Sequence, residues 1–104
     1  MGAVRLCSTA DVPVGEARRF TVEDRQVAVV NLGDAQFRAL DAVCSHEHFF
    51  LDEGEVDVDE STIECPKHGS LFDVGSGTPL GLPATKPVDT FQVTVNDDDV
   101  WIEV

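Results

Sequence analysis

Two short segments of this chain pair a thiol with an imidazole. The first is Cys44-Ser45-His46 and the second is Cys65-Pro66-Lys67-His68, with eighteen residues between His46 and Cys65. Thiolate and imidazole donors together suit zinc, copper or an iron–sulfur centre and disfavour magnesium or calcium. A structural zinc site with two Cys and two His ligands is one reading. Zinc fingers, however, pair two cysteines in one knuckle and place two histidines on a helix, and neither feature is present. Unconnected core cysteines beside surface histidines are a further reading, which needs two tight Cys/His pairs to arise by accident. His48 is the third histidine, either an additional ligand or a solvated loop residue.

The elements that must hold these segments have a periodicity of two almost throughout. Residues 18–22 and 26–32 read as two strands, and Glu23-Asp24-Arg25 is short and polar enough to turn them into a hairpin. Gly33-Asp34 breaks the chain before a third strand at 36–41, which leads directly to Cys44. Residues 51–60 are dense in carboxylates and predict a loop with a short exposed edge strand, where like charges resist unwanted pairing. The chain then turns near Asp59 into Thr62-Ile63-Glu64, which delivers Cys65. Leu71-Phe72-Asp73-Val74 is a brief strand. Gly75-Ser76-Gly77-Thr78-Pro79 is turn chemistry whose glycines do not fit a dinucleotide fingerprint. Residues 82–87 form a stiff, proline-fixed connection, and residues 91–95 and 100–104 form a terminal hairpin about Asn96-Asp97-Asp98-Asp99. No segment carries a sustained helical stripe. The expected fold class is all-β, with about eight short strands in a sandwich or small barrel.

At 104 residues the chain is expected to be a single domain, burying roughly two-thirds of its unfolded surface. Its apolar runs fall far short of the roughly 20 residues of a membrane span. The start, Met1-Gly2-Ala3-Val4-Arg5-Leu6, has no signal-peptide core and no myristoylation serine or threonine, so a cytoplasmic location is expected. The net charge is −13, from 7 basic and 20 acidic residues, which argues against nucleic acid and anionic lipid. The acid serves either solubility alone or steering towards a basic partner protein. Cys7 lies in a strand-like piece and is expected to act as a small buried hydrophobe. Trp101 faces away from Val100, Ile102 and Val104 and is assigned no function.

Cys44-Ser45-His46 with Cys65-Pro66-Lys67-His68-Gly69 resembles the signature of Rieske proteins, C-x-H followed by C-x-x-H. The likeness extends through Ser70-Leu71-Phe72-Asp73, Gly77 and Leu82-Pro83 into the terminal hairpin. It implies one [2Fe–2S] cluster per chain, with Cys44 and Cys65 on one iron and His46 and His68 on the other. It also implies a small antiparallel β-sandwich or barrel of residues 1–104, in which a cluster-binding part at about 43–84 is inserted in a β base. Two ferric ions, two sulfides and two thiolates sum to zero charge when the imidazoles are neutral, so reduction creates only one net negative charge. An all-cysteine cluster starts more negative, which is why two His ligands raise the potential to about −150 to +300 mV.

Members of the cytochrome bc type carry a further cysteine in each loop, joined as a disulfide, and a Ser and a Tyr hydroxyl near the sulfurs. The corresponding loop positions here are Phe49 and Lys67, Ser70 matches the Ser, and Phe72 replaces the Tyr. Fewer donors to sulfur imply a low-potential centre of the bacterial ferredoxin type. Gly69 is expected to permit close backbone approach to the cluster, and Pro83 resembles the family's covering proline loop. Phe49, Phe50, Leu51 and Leu71 could shield it or simply pack, and Lys67 could meet a partner or solvent. A Rieske oxygenase would also need a mononuclear iron site, commonly two histidines and a carboxylate, and only His48 remains. The resemblance therefore implies an electron carrier, not an enzyme. Its partners would be a flavin-containing, NAD(P)H-dependent ferredoxin reductase and a terminal oxygenase, met transiently with the His46/His68 edge as docking tip. The alternatives are a tightly bound small subunit of a larger reductase, such as assimilatory nitrite reductase, and, more remotely, a structural zinc module.

Overall fold

A computed structural model describes residues 2–44, 49–66, 69–81 and 86–103. Its strands are β1 (Ala3–Ser8), β2 (Ala17–Val22), β3 (Arg25–Asn31), β4 (Phe37–Asp41), β5 (Val56–Asp57), β6 (Thr62–Glu64), β7 (Leu71–Asp73), β8 (Thr90–Phe91), β9 (Val93–Asn96) and β10 (Asp99–Glu103). They form three antiparallel sheets: a base sheet ordered β1-β10-β9, a central sheet β2-β3-β4-β8 and a small sheet β5-β6-β7. The all-β expectation holds. The described residues add only two single-turn 3₁₀ helices, Thr9–Asp11 and Leu51–Glu53, each too short to leave a helical stripe in the sequence.

Alternation along β3 explains the layering. Val27 and Val29 face one apolar cluster with Cys7, Val12, Phe37, Val100 and Ile102, between the central and base sheets. Ala28 and Val30 face a second cluster with Leu40, Leu51, Ile63, Phe72, Cys44 and Cys65, towards the small sheet. A strand covered on both faces can be apolar throughout, and residues 27–31 are all buried. Each fully buried Val or Leu contributes about 1.5–3 kcal/mol relative to exposure. Asn31 is the buried polar exception at the strand's end. Its side chain donates to the Val12 carbonyl at 2.7 Å and accepts from the Gly33 N–H at 2.8 Å, so it is satisfied.

Among the described residues ten strands stand where about eight were expected, for two reasons. Residues 3–8 pair along β10, from Ala3↔Glu103 to Ser8↔Asp99, with a bulge between Arg5 and Cys7 that lets consecutive Leu6 and Cys7 both reach the core. The run 91–95 is split at Gln92: β8 pairs with β4 of the central sheet, whereas β9 pairs with β10 of the base sheet. Both expected hairpins are present. Glu23 and Asp97 take the positive φ of their two-residue turns, 56° each, and Asp tolerates that conformation through its short polar side chain. Trp101 pairs with Thr94 and Arg5, on the face opposite Val100 and Ile102.

Candidate metal centre

Two hairpin tips are built alike. In the first, Val43 forms an antiparallel bridge with Phe50, and the Leu51 N–H donates to the Ala42 carbonyl at 2.7 Å. Inside that pair, the Cys44 N–H donates to the Phe49 carbonyl at 2.8 Å. In the second, Glu64 pairs with Leu71 across β6 and β7, and the Cys65 N–H donates to the Ser70 carbonyl at 2.7 Å. Each tip, 44–49 and 65–70, thus opens on a cysteine whose own amide closes it onto the residue five places on. The sequence places His46 and His48 in the first and His68 in the second.

Cys44 is 4 % exposed and Cys65 1 %, and both belong to the apolar cluster that holds Leu51, Ile63 and Phe72. All three cysteines are free of disulfides. Cys7 stands apart in the other core, where burial first and then Asp11 push its thiol up to about 11. It is a buried hydrophobe, as expected. Two buried, unbridged thiols at matching positions of two loops fit a thiolate pair for one metal ion. Ser45, His46, Glu47, His48, Lys67, His68 and the proline loop with Pro83 lie outside the described residues. Among the described residues, no group of three or more His, Cys, Asp or Glu is gathered to hold a metal.

The remaining site expectations divide. Leu51 is fully buried, Phe49 and Phe50 pack on the same cluster, and Leu71 is largely exposed. Phe72 is fully buried, with no hydroxyl to donate. Gly69 has a φ of +77°, which alone calls for glycine. A Cβ there would meet nothing among the described residues nearer than Glu64 Oε2 at 3.5 Å, so backbone conformation, not crowding by the chain, explains it.

Several residues support the tips in ways that the sequence reading did not assign. Asp41 Oδ1 accepts the Val43 N–H at 3.1 Å, turning the chain out of β4 towards Cys44. Arg25 Nη2 reaches Asp89 Oδ2 at 3.0 Å and Asp41 Oδ2 at 3.7 Å, with its guanidinium 4.9 Å over Phe91. Asp73 Oδ1 accepts from the Gly75 and Ser76 N–H groups at 2.8 and 3.1 Å, an Asx turn legible in Asp73-Val74-Gly75-Ser76. Gly77, at φ +75°, leaves no room for a Cβ, which would lie 2.1 Å from the Val88 carbonyl oxygen.

A model of the Rieske [2Fe-2S] domain matches residues 2–92. The chain belongs to the Rieske family. The ferredoxin subunit of 3-phenylpropionate/cinnamic acid dioxygenase from Escherichia coli (strain K12) is 38% identical to it over 104 residues, covering 100% of this chain and 95% of that one. Among solved structures, the ferredoxin of carbazole 1,9a-dioxygenase from Nocardioides aromaticivorans IC177 superposes with a TM-score of 0.92 at 30% identity, over 98% of this chain and 97% of that one. The ferredoxin in a complex of reduced oxygenase and oxidised ferredoxin of carbazole 1,9a-dioxygenase gives 0.86 at 37% identity, over 96% and 91%. This Rieske protein is a ferredoxin, an electron carrier and not a catalyst, and its domain implies an iron–sulfur cluster. No described helix is long and apolar enough to cross a membrane.

Proposed function

We propose that this Rieske ferredoxin carries single electrons from a flavin-containing, NAD(P)H-dependent reductase to a terminal non-haem-iron oxygenase of an aromatic-ring-hydroxylating system in the cytoplasm. The observation that carries the proposal is the pair of matching six-residue tips, 44–49 and 65–70, each opened by a buried cysteine whose amide closes the tip. Full-length similarity to dioxygenase ferredoxin subunits supports the choice of partners.

In this reading one [2Fe–2S] cluster is bound per chain, Cys44 and Cys65 serving one iron and His46 and His68 the other. When bound, the cluster takes up and returns one electron. The chain's own part is to hold the two thiolates in an apolar wall and keep the tips rigid through the Cys44 and Cys65 amides. The His46/His68 edge, to which both tips contribute, is the docking edge. The cluster-binding part, about 43–84, is inserted in the β base of a single domain. In support, the Asp41 N–H donates to the Asp89 carbonyl at 2.8 Å and Leu40 pairs with Thr90, so the chain leaves and rejoins the central sheet at one place. Encounter is transient and steered by the acidic surface, since 20 acidic residues face 7 basic ones.

Elemental analysis tests the proposal directly. About two iron and two acid-labile sulfide per chain, with a rhombic EPR signal on reduction, are expected. A colourless protein holding one zinc overturns it. A stoichiometric complex with a larger reductase that survives high salt would replace the mobile carrier with a permanent subunit.

A further inference from the structure

The one-turn helix Leu51–Glu53 follows the first tip directly and packs against β2, β3 and β6. Leu51 lies in the cluster that contains Cys44 and Cys65. Asp52, the next residue, carries a carboxylate that is only 11% exposed. Its Oδ1 is buried with no hydrogen-bond partner among the described residues. Among the described residues Arg19 of β2 forms its ion pair, with Nη1 4.0 Å away and beyond hydrogen-bond reach. The guanidinium is instead stacked 3.6 Å over the ring of Phe50, which bridges to Val43 at the base of the tip.

Arg18 adds only a minor pull towards the ionised form, being engaged by the carboxylate of Glu16, while Glu53 on the same turn and Glu55 beside it are negative. A buried carboxylate so poorly paired favours its neutral form. Burial raises the Asp52 carboxyl above its ordinary range, opposed by Arg19 and by a hydrogen bond from its own backbone N–H, with Glu53 assisting. An open pocket lined by Gly15, Glu16, Arg18, Glu55 and Asp52 itself gives water a route to the group.

We propose that Asp52 is a redox-linked proton site, which takes a proton from solvent through this pocket when the neighbouring cluster takes an electron. The inference rests on the cluster assignment made above. An electron from the reductase, or from a chemical reductant, adds one negative charge to the metal centre. A proton from water joining the Asp52 carboxylate removes one, so the net charge of the region is unchanged. Coupling of this kind is reciprocal: if reduction tightens proton binding, protonation makes reduction easier by the same factor. Stacking on Phe50 keeps Arg19 from quenching the effect. The midpoint potential therefore rises as pH falls through the Asp52 titration and levels off once the carboxylate is fully ionised.

The test is the midpoint potential of the cluster-loaded protein, by protein-film voltammetry from about pH 4.5 to 8, spanning the carboxyl range and its upward shifts. The wild type should show a rise on the acid side equivalent to a several-fold gain in the reduced-to-oxidised ratio. Asp52→Asn should lose that rise and have a higher midpoint at neutral pH, and Asp52→Glu should restore it. Infrared redox-difference spectra of wild-type protein labelled with ¹³C-aspartate supply a readout that does not depend on the variants folding. A carboxylic-acid band that grows on reduction supports the proposal. A flat wild-type midpoint, an acid limb that survives in Asp52→Asn, or no such band overturns it while leaving the cluster assignment standing. Absence of a [2Fe–2S] signal overturns the assignment and the inference together.

Discussion

Phe72 illustrates how much a single missing oxygen can set. Its ring is fully buried in β7 and shares a cluster with Cys44 and Cys65, yet it offers no donor to a sulfur. The expected midpoint therefore lies in the lower part of the Rieske range, and a titration placing it well above about 100 mV would contradict this. Phe72→Tyr should raise the midpoint, because a phenolic donor beside a thiolate stabilises the reduced state. Cys7 makes a separate claim. Its thiol titrates near 11 in the fold against an ordinary 9.0, because burial and Asp11 disfavour the thiolate. A group whose folded pKa is raised stabilises the fold below its unfolded pKa. That contribution is lost as pH rises from about 9 through about 11. Urea unfolding should show this alkaline loss in the wild type and much less of it in Cys7→Ala, and native Cys7 should react slowly with thiol reagents.

At the scale of elements, Gly54 follows the helix Leu51–Glu53 on the way to β5 and lies against the end of β6. A Cβ on Gly54 would lie 1.6 Å from the Glu64 carbonyl oxygen, one residue before Cys65. Gly54→Ala must push that backbone away. It should cost about 1–3 kcal/mol or more, read as a lowered Tm, and should reduce visible absorbance per protein because the second tip moves. The sequence could not announce this, since the clash partner lies ten residues ahead, across a turn. Strands β2, β3 and β4 and the terminal hairpin were legible because alternation and polar turns are local signals. The break at Gln92 was not, because side-chain alternation runs on unbroken while the backbone changes sheets. The Cys/His spacing announced the candidate site. The pairing that frames each tip did not show, because Val43↔Phe50 is a single bridge with no strand pattern around it. Arg19, Phe50 and Asp52 meet only through tertiary packing, which no period in the sequence records.

For the whole molecule, a charge of −13 means that association with a basic partner should be fast at low salt and slow as salt is added. Stopped-flow reduction by the reductase should show the second-order rate falling steeply with ionic strength, and an insensitive rate would leave the acid with solubility alone. The layering has a further outcome. The chain departs from the central sheet after Asp41 and returns at Asp89, and those two residues are hydrogen-bonded to each other at 2.8 Å. Everything between them enters and leaves the central sheet at one closed doorway, while its Leu51, Ile63 and Phe72 pack in one cluster with Ala28 and Val30 of β3. Such an architecture suits recombination: two crossover points at one spot would exchange the electron-carrying part for another, provided that the replacement covers the same Ala28 and Val30 face of β3.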